Sequence, residues 1–360
     1  DVPVKDLISS NTTTLIAGGT GAAFGSWTIG ATTTGTGTTA GTYTNGSDLD
    51  TTVNIAPSGS VTYTITGTVV SGATGNITNK ATVSSVDTTT VTHTPEAGVV
   101  SATKSSSTTT YAPGGTIVYT LQIKNTGTGY ALAVPAKDLI SSNTTNLIGG
   151  GTGTAFGSWT ISATTTGTGT TSGTYTDDSD LDTTVNIAPS GSVTYTITGT
   201  VVTGATGNIT NKATINSVDT AAVTHTPEAG VDSGTKTSGT TIYAPGGTIV
   251  YTITINNTGA GYALNVPAKD LLSSNTTSLI GGGTGTAFGS WTINATRTGT
   301  GTTAGTYTND SDLDTTVNIA PSGNVTYTIT GTVVSGATGN ITNKATVSSV
   351  DTTTVTHTPE

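Results

Sequence analysis

"TIVYTLQIK", residues 116–124, places Ile117, Tyr119, Leu121 and Ile123 at every second position, with Thr116, Val118, Thr120, Gln122 and Lys124 between them. A period of two sends alternate side chains to opposite faces of an extended chain, so this stretch predicts a strand with one face against a core. The pattern returns in "SVTYTITGTVV" (192–202), with Val193, Tyr195, Ile197 and Val201 inward, and in "NITNKATINSV" (208–218), with Ile209, Ala213 and Ile215 inward. Turn chemistry separates such runs: "NTGTG" (125–129), "APSG" (188–191) and "TGATG" (203–207). No stretch carries a helical apolar period or an N-cap leading an amphipathic run. The expected fold class is all-β, an antiparallel β-sandwich of immunoglobulin-like type.

The chain then repeats itself. His93, His225 and His357 share one local string, as do Trp27, Trp159 and Trp291, at a spacing of 132 residues (225 − 93 = 357 − 225 = 159 − 27). A fixed period of this kind marks a tandem array. Residues 97–228 and 229–360 are complete units, and residues 1–96 are a unit that lacks its first 36 residues (132 − 96). The absent part corresponds to Ala97–Leu132, which contains "SATKSSSTTTYA" (101–112) and "TIVYTLQIK". An incomplete sandwich exposes an apolar groove, expected here beside Val61, Tyr63 and Ile65. Two readings compete: the chain is an excerpt of a longer array, or a strand from a neighbouring molecule fills the groove. The linker "HTPEAG" (225–230) is short, so neighbouring sandwiches are expected to stack with limited freedom.

Composition narrows the class of function. Aromatic residues make up 5% and charged residues 8% of the chain, and the abundance of Thr, Val and Ile favours strands over disorder. A net charge of −10, with ten Lys and Arg in all, argues against nucleic acid or an anionic membrane as partner. No run approaches the roughly 20 apolar residues of a membrane span. Cys and Met are both absent, which removes disulfides and thiolate metal sites and suits a long-lived exposed protein. The chain carries no initiating Met and no signal peptide, so it reads as a mature piece or fragment.

Two longer stretches carry a family resemblance. "YAPGGTIVYTLQIKNTGTGYALAVPAKDLI" (111–140) resembles the opening half of the bacterial and archaeal surface repeat called domain of unknown function 11. It has the Pro-Gly turn, the Tyr-Thr strand, the Asn-Thr-Gly turn and the Asp after the third strand. "DLDTTVNIAPSGSVTYTITGTVVTGATGNITNKATI" (180–215) resembles its closing half. The likeness spans both complete units and the closing part of the first. It implies immunoglobulin-like modules of long secreted or wall-attached proteins with adhesive or structural roles, and it implies no ligand. In "VPAKDL" (134–139) the chain departs from the family's Asp followed by a Leu-Pro turn, which leaves the course of that loop open.

Several constellations could carry chemistry. The three His residues precede Thr-Pro and read as polar junction residues, with no recurring nucleophile beside them, so no enzyme is expected. "GGTGTAFGSW" (150–159) is Gly-rich but lacks the Lys and the following helix of a phosphate cradle, and Trp159 reads as a core or corner aromatic. Asp178, Asp180 and Asp182, with Asp310, Asp312 and Asp314, would share one side of an extended segment. Such a set suits either water or Ca²⁺, the one cofactor in question. In the first unit Gly46 stands at the first of these positions, leaving Asp48 and Asp50. Asn211 has inward parity between Ile209 and Ala213, where a bare amide is costly. It is satisfied either by neighbouring backbone or by Lys104 and Asp138, and Lys, Asn and acid in an apolar setting are the parts of an intramolecular isopeptide bond. Lys236, Asn343 and Asp270 repeat the set, while the first unit keeps Asn79 and Asp6 without a Lys. Asn76, Asn208 and Asn340 lie in "NIT" sequons, which permit glycosylation without demonstrating it.

The expected role is a structural segment of an extracellular filament, pilus-like fibre or surface coat, whose partners are copies of itself or adjoining repeats. The alternative is the stalk of a cell-surface adhesin with its binding head elsewhere. An ice- or mineral-binding array is a third class, disfavoured because outward Thr rows on a twisted sheet are not flat.

Overall fold

The computed structural model describes residues 1–360. In the unit 97–228, one four-stranded antiparallel sheet has the order Val100–Ser106, Thr116–Asn125, Ser192–Val201, Phe156–Thr166. The facing sheet has the order Leu181–Ile187, Ala131–Asp138, Ala213–Ile215, Val218–Asp219. A third set joins them: Thr110–Tyr111 runs parallel to Val223–Pro227, which pairs antiparallel with Ile209–Asn211. The unit's opening segment thus pairs first with one sheet and then, through Thr110–Tyr111, with the last strand of the unit in the third set, which also covers an edge. Unit 229–360 repeats these strand orders, and the chain contains no α-helix, only three short 3₁₀ turns.

The core follows the parity of the sequence. Ile117, Tyr119, Leu121 and Ile123 are wholly buried, as are Val193, Tyr195 and Ile197, and they meet Val134, Ala136, Leu181, Val185 and Ile215 of the facing sheet. At about 1.5–3 kcal/mol for each large apolar side chain, this layer is the main stabilising term. The "VPAKDL" stretch stays in the sheet. A bulge at Ala133 (φ 47°), whose N–H donates to Asn186 Oδ1 at 2.8 Å, resets the register, and the strand then runs through Pro135 to Asp138. A single 3₁₀ turn, Ile140–Ser142, ends it by burying Ile140.

In residues 1–96 the strand Ser60–Val69 pairs only with Phe24–Thr34, and its other edge has no partner strand in the chain. Val61, Tyr63 and Ile65 are half-buried, whereas their equivalents Val193, Tyr195 and Ile197 are 0% exposed.

Half of the stretch expected as a linker is strand. Val223–Pro227 belongs to the sandwich and His225 is 0% exposed within it, because alternation places its ring inward opposite Ile209. The connection between units therefore shrinks to Glu228–Gly230, and Glu96–Gly98 is its counterpart. It is packed closely: a Cβ on Gly129 would fall 1.7 Å from the Glu96 carbonyl oxygen, and one on Gly261 1.7 Å from that of Glu228. Asn125, 2% exposed, fixes the opening of its own unit by accepting from the N–H groups of Val99 (2.9 Å) and Gly127 (3.0 Å) and donating to the carbonyls of Gly129, Ile187 and Ala188. Asn257 repeats the arrangement in the next unit.

Candidate functional site

Three strands bring Lys104, Asp138 and Asn211 together inside the sandwich. Lys104 lies opposite Leu121, on the inward face of the unit's first strand. Asp138 closes its strand opposite Leu181 and Ala213, and Asn211 lies two residues before Ala213. The Lys104 and Asp138 side chains are both 0% exposed and joined Nζ to Oδ2. The ammonium position lies 4.5 Å from the centroid of the Tyr119 ring, whose edge-on neighbours are Phe156 and His225. Burial pushes the Lys104 amine below its ordinary pKa and the Asp138 carboxyl above its own, each against the attraction of the other. Burial is the larger influence on both groups, and it works against the charged form of each. The Asn211 amide lies against the same carboxyl and favours its charged form, yet its Nδ2 and Asp138 Oδ1 have no hydrogen-bond partner. Lys236, Asp270 and Asn343 repeat every feature, with the amine 4.3 Å from the Tyr251 ring centroid.

The carboxylates proposed for calcium do not converge. Asp178 adopts φ 58°, so the segment is not extended there and the expected one-sided alternation fails. Its Oδ1 accepts from the Trp159 N–H at 2.7 Å, Asp180 accepts from the N–H and hydroxyl of Ser141 at 2.8 and 2.6 Å, and Asp182 pairs with Lys137 at 2.9 Å. Asp310, Asp312 and Asp314 divide in the same way, to Trp291, Ser273 and Lys269. No group of three carboxylates or imidazoles is arranged to hold a metal ion. Trp159 is a corner residue, its Nε1 donating to the Ser179 carbonyl at 2.8 Å.

His225 and His357 are core residues rather than junction residues. Each Nε2 lies 2.9 Å from a serine hydroxyl, of Ser106 and Ser238 respectively, and Nδ1 has no partner. His93 is exposed, since the first unit has no counterpart of Ser106 or Tyr119.

A second recurring arrangement lies between units. Ile148, half-buried, projects from its unit onto the next, where a Cβ on Gly301 would meet its Cγ2 at 2.8 Å and the Tyr262 hydroxyl at 3.3 Å. Tyr262 donates across the junction to the Thr203 carbonyl at 2.9 Å. Ile16 stands in the same way over Gly169 and Tyr130. The equivalent Ile280 is 85% exposed. Sequence reasoning missed this contact, although the signal was present: an Ile at positions 16, 148 and 280, each beside a glycine run where local structure needs no apolar side chain.

No family model matches the chain, and no curated protein does. Among solved structures, it is similar to the C-terminal domain of the antigen I/II polypeptide BspA of Streptococcus agalactiae. That match has 11% identity and a TM-score of 0.23, and covers 72% of this chain and 100% of that one. The C-terminal domain of the antigen I/II-family protein AspA of Streptococcus pyogenes matches at 10% identity and a TM-score of 0.26, covering 72% of this chain and 99% of that one. Domains 4–9 of the surface layer protein SbsC match at 13% identity and a TM-score of 0.20, covering 100% of this chain and 47% of that one. Overlays this loose assign no role to any residue of this chain.

Proposed function

We propose that this chain is a segment of an extracellular structural array, a fibre or surface coat in which immunoglobulin-like units stack end to end and carry load rather than chemistry. The observation that carries the reading is the repeated junction: Ile16 on Gly169 and Ile148 on Gly301, with the clamped connections Glu96–Gly98 and Glu228–Gly230. A contact that maps each unit onto the next is heterologous, and such contacts propagate rather than close. Ile280 presents the same apolar side chain at 85% exposure, ready for a further unit of the same kind. The absence of Cys and Met and the resemblance of residues 111–140 and 180–215 to a secreted surface repeat support an external location. Immunogold labelling of intact source cells with antibody to residues 97–228 tests the reading. Label along surface fibres or over the coat is expected, and label confined to the cell interior overturns it.

A further inference from the structure

We propose that Lys104 and Asn211, and likewise Lys236 and Asn343, become joined by intramolecular isopeptide bonds formed under the influence of Asp138 and Asp270. The inference is independent of where the chain resides, because it concerns chemistry inside one folded unit. A structural ion pair earns its place in a core only when its remaining lone pairs and protons are also satisfied. Here they are not, since Asp138 Oδ1 and Asn211 Nδ2 are buried without partners, and the same two atoms are orphaned at Asp270 and Asn343. Both complete units share the same deficit.

The reaction needs an uncharged amine, an amide carbonyl held beside it, and an acid that moves protons. Desolvation between the sheets favours the uncharged amine and the protonated acid. The Lys Nζ lone pair attacks Asn Cγ, forming the new C–N bond and a tetrahedral centre whose oxygen takes up the displaced electron pair. The protonated Asp passes its proton to Nδ2, and the carboxylate so formed takes one from the nitrogen that has become cationic. The Cγ–Nδ2 bond then breaks and ammonia leaves, so a primary amine and a primary amide become a secondary amide with no oxidant or cofactor. The Tyr119 ring beneath the amine and the buried His225 behind it keep water away from the centre.

The test is the intact mass of the full chain. Two bonds lower it by about 34 Da relative to the sequence, about 17 Da for each ammonia lost. Tryptic digestion should yield branched peptides joining Lys104 to Asn211 and Lys236 to Asn343, with no cleavage after either Lys. Asp138→Asn and Lys104→Met should each abolish the first branched peptide alone and halve the deficit, leaving the second unit's bond as an internal control for folding. A succinimide at Asn45–Gly46 loses the same mass, so a deficit without branched peptides overturns the proposal. An intact mass equal to that of the sequence overturns it as well.

Discussion

Asn79 Nδ2 donates to Asp6 Oδ2 at 3.1 Å in the first unit, whereas in the complete units the equivalent oxygen of Asp138 belongs to Lys104 and the amide of Asn211 is left without a partner. The lysine therefore displaces the asparagine from the carboxylate, and without it the pair relaxes into an ordinary hydrogen bond. Burial raises the pKa of Asp6, as it does that of Asp138.

That relationship predicts complementation. A peptide with the sequence of residues 97–132 carries the three strands that the first unit does not contain, Val100–Ser106, Thr110–Tyr111 and Thr116–Asn125, and with them a lysine at the position of Lys104. Added in trans, it should pair along the open edge of Ser60–Val69 and couple to Asn79. The covalent adduct should have the summed mass less about 17 Da. Asn79→Ala should bind the peptide without coupling, and mass spectrometry under denaturing conditions separates the two outcomes.

The stability consequence of the bond follows from the loop it closes. Lys104 and Asn211 are 107 residues apart (211 − 104). By the chain-entropy estimate used for disulfides, a loop of that size is worth about 4–5 kcal/mol. Asn211→Ala keeps the Lys104–Asp138 pair but removes the link. Denaturant unfolding should show the transition of unit 97–228 weakened by about that amount and the transition of unit 229–360 unchanged.

What was legible in the sequence was whatever alternation decides. Inward parity correctly placed Tyr119, Ile123, Tyr195 and Ile197, and the same rule put Asn211 in the core beside the acid. It would equally have found Asn125, the next inward position after Ile123, which ties the opening residues of its unit to the turns at Gly129 and Ala188. The rule failed at Asp178 because a positive φ breaks the alternation, so three carboxylates that read as one set serve three separate donors. His225 was misread because a following Thr-Pro suggests a boundary, while the strand continues through Pro227. The Ile148–Gly301 contact lies between units, and no period within a strand reports on it.

Acid sensitivity should originate at the two buried imidazoles. Burial holds His225 and His357 below the ordinary histidine pKa, so the unfolded chain binds protons that the folded one refuses. The stabilising contribution is therefore fully present above about pH 6.5 and is lost as pH falls toward the depressed folded value. The melting temperatures of the two complete units should fall between neutral pH and about pH 5, where most carboxylates remain ionised. In His225→Gln/His357→Gln that slope should flatten, and an unchanged slope would show that other groups govern it.

Stacking itself can be separated from folding by a pair of glycine substitutions. Gly301 has φ +82° and Gly37 has φ +87°, so alanine at either pays a similar left-handed backbone penalty of about 1 kcal/mol. Only at Gly301 does the added methyl collide with Ile148, 2.8 Å away, while nothing lies within 4 Å of a Cβ at Gly37. Gly301→Ala should therefore lift unit 229–360 off its neighbour, and Gly37→Ala should not. Small-angle scattering should report a broadened distribution of maximum dimension for the first variant, and the Glu228–Gly230 connection should become open to protease. Ile148→Asp should reproduce both effects without touching a backbone of positive φ, because it places a charge where Ile148 packs on Gly301. If all three variants scatter like the parent chain, the short connection and the Tyr262–Thr203 hydrogen bond are sufficient to fix the units, and the Ile–Gly contact is incidental to the array.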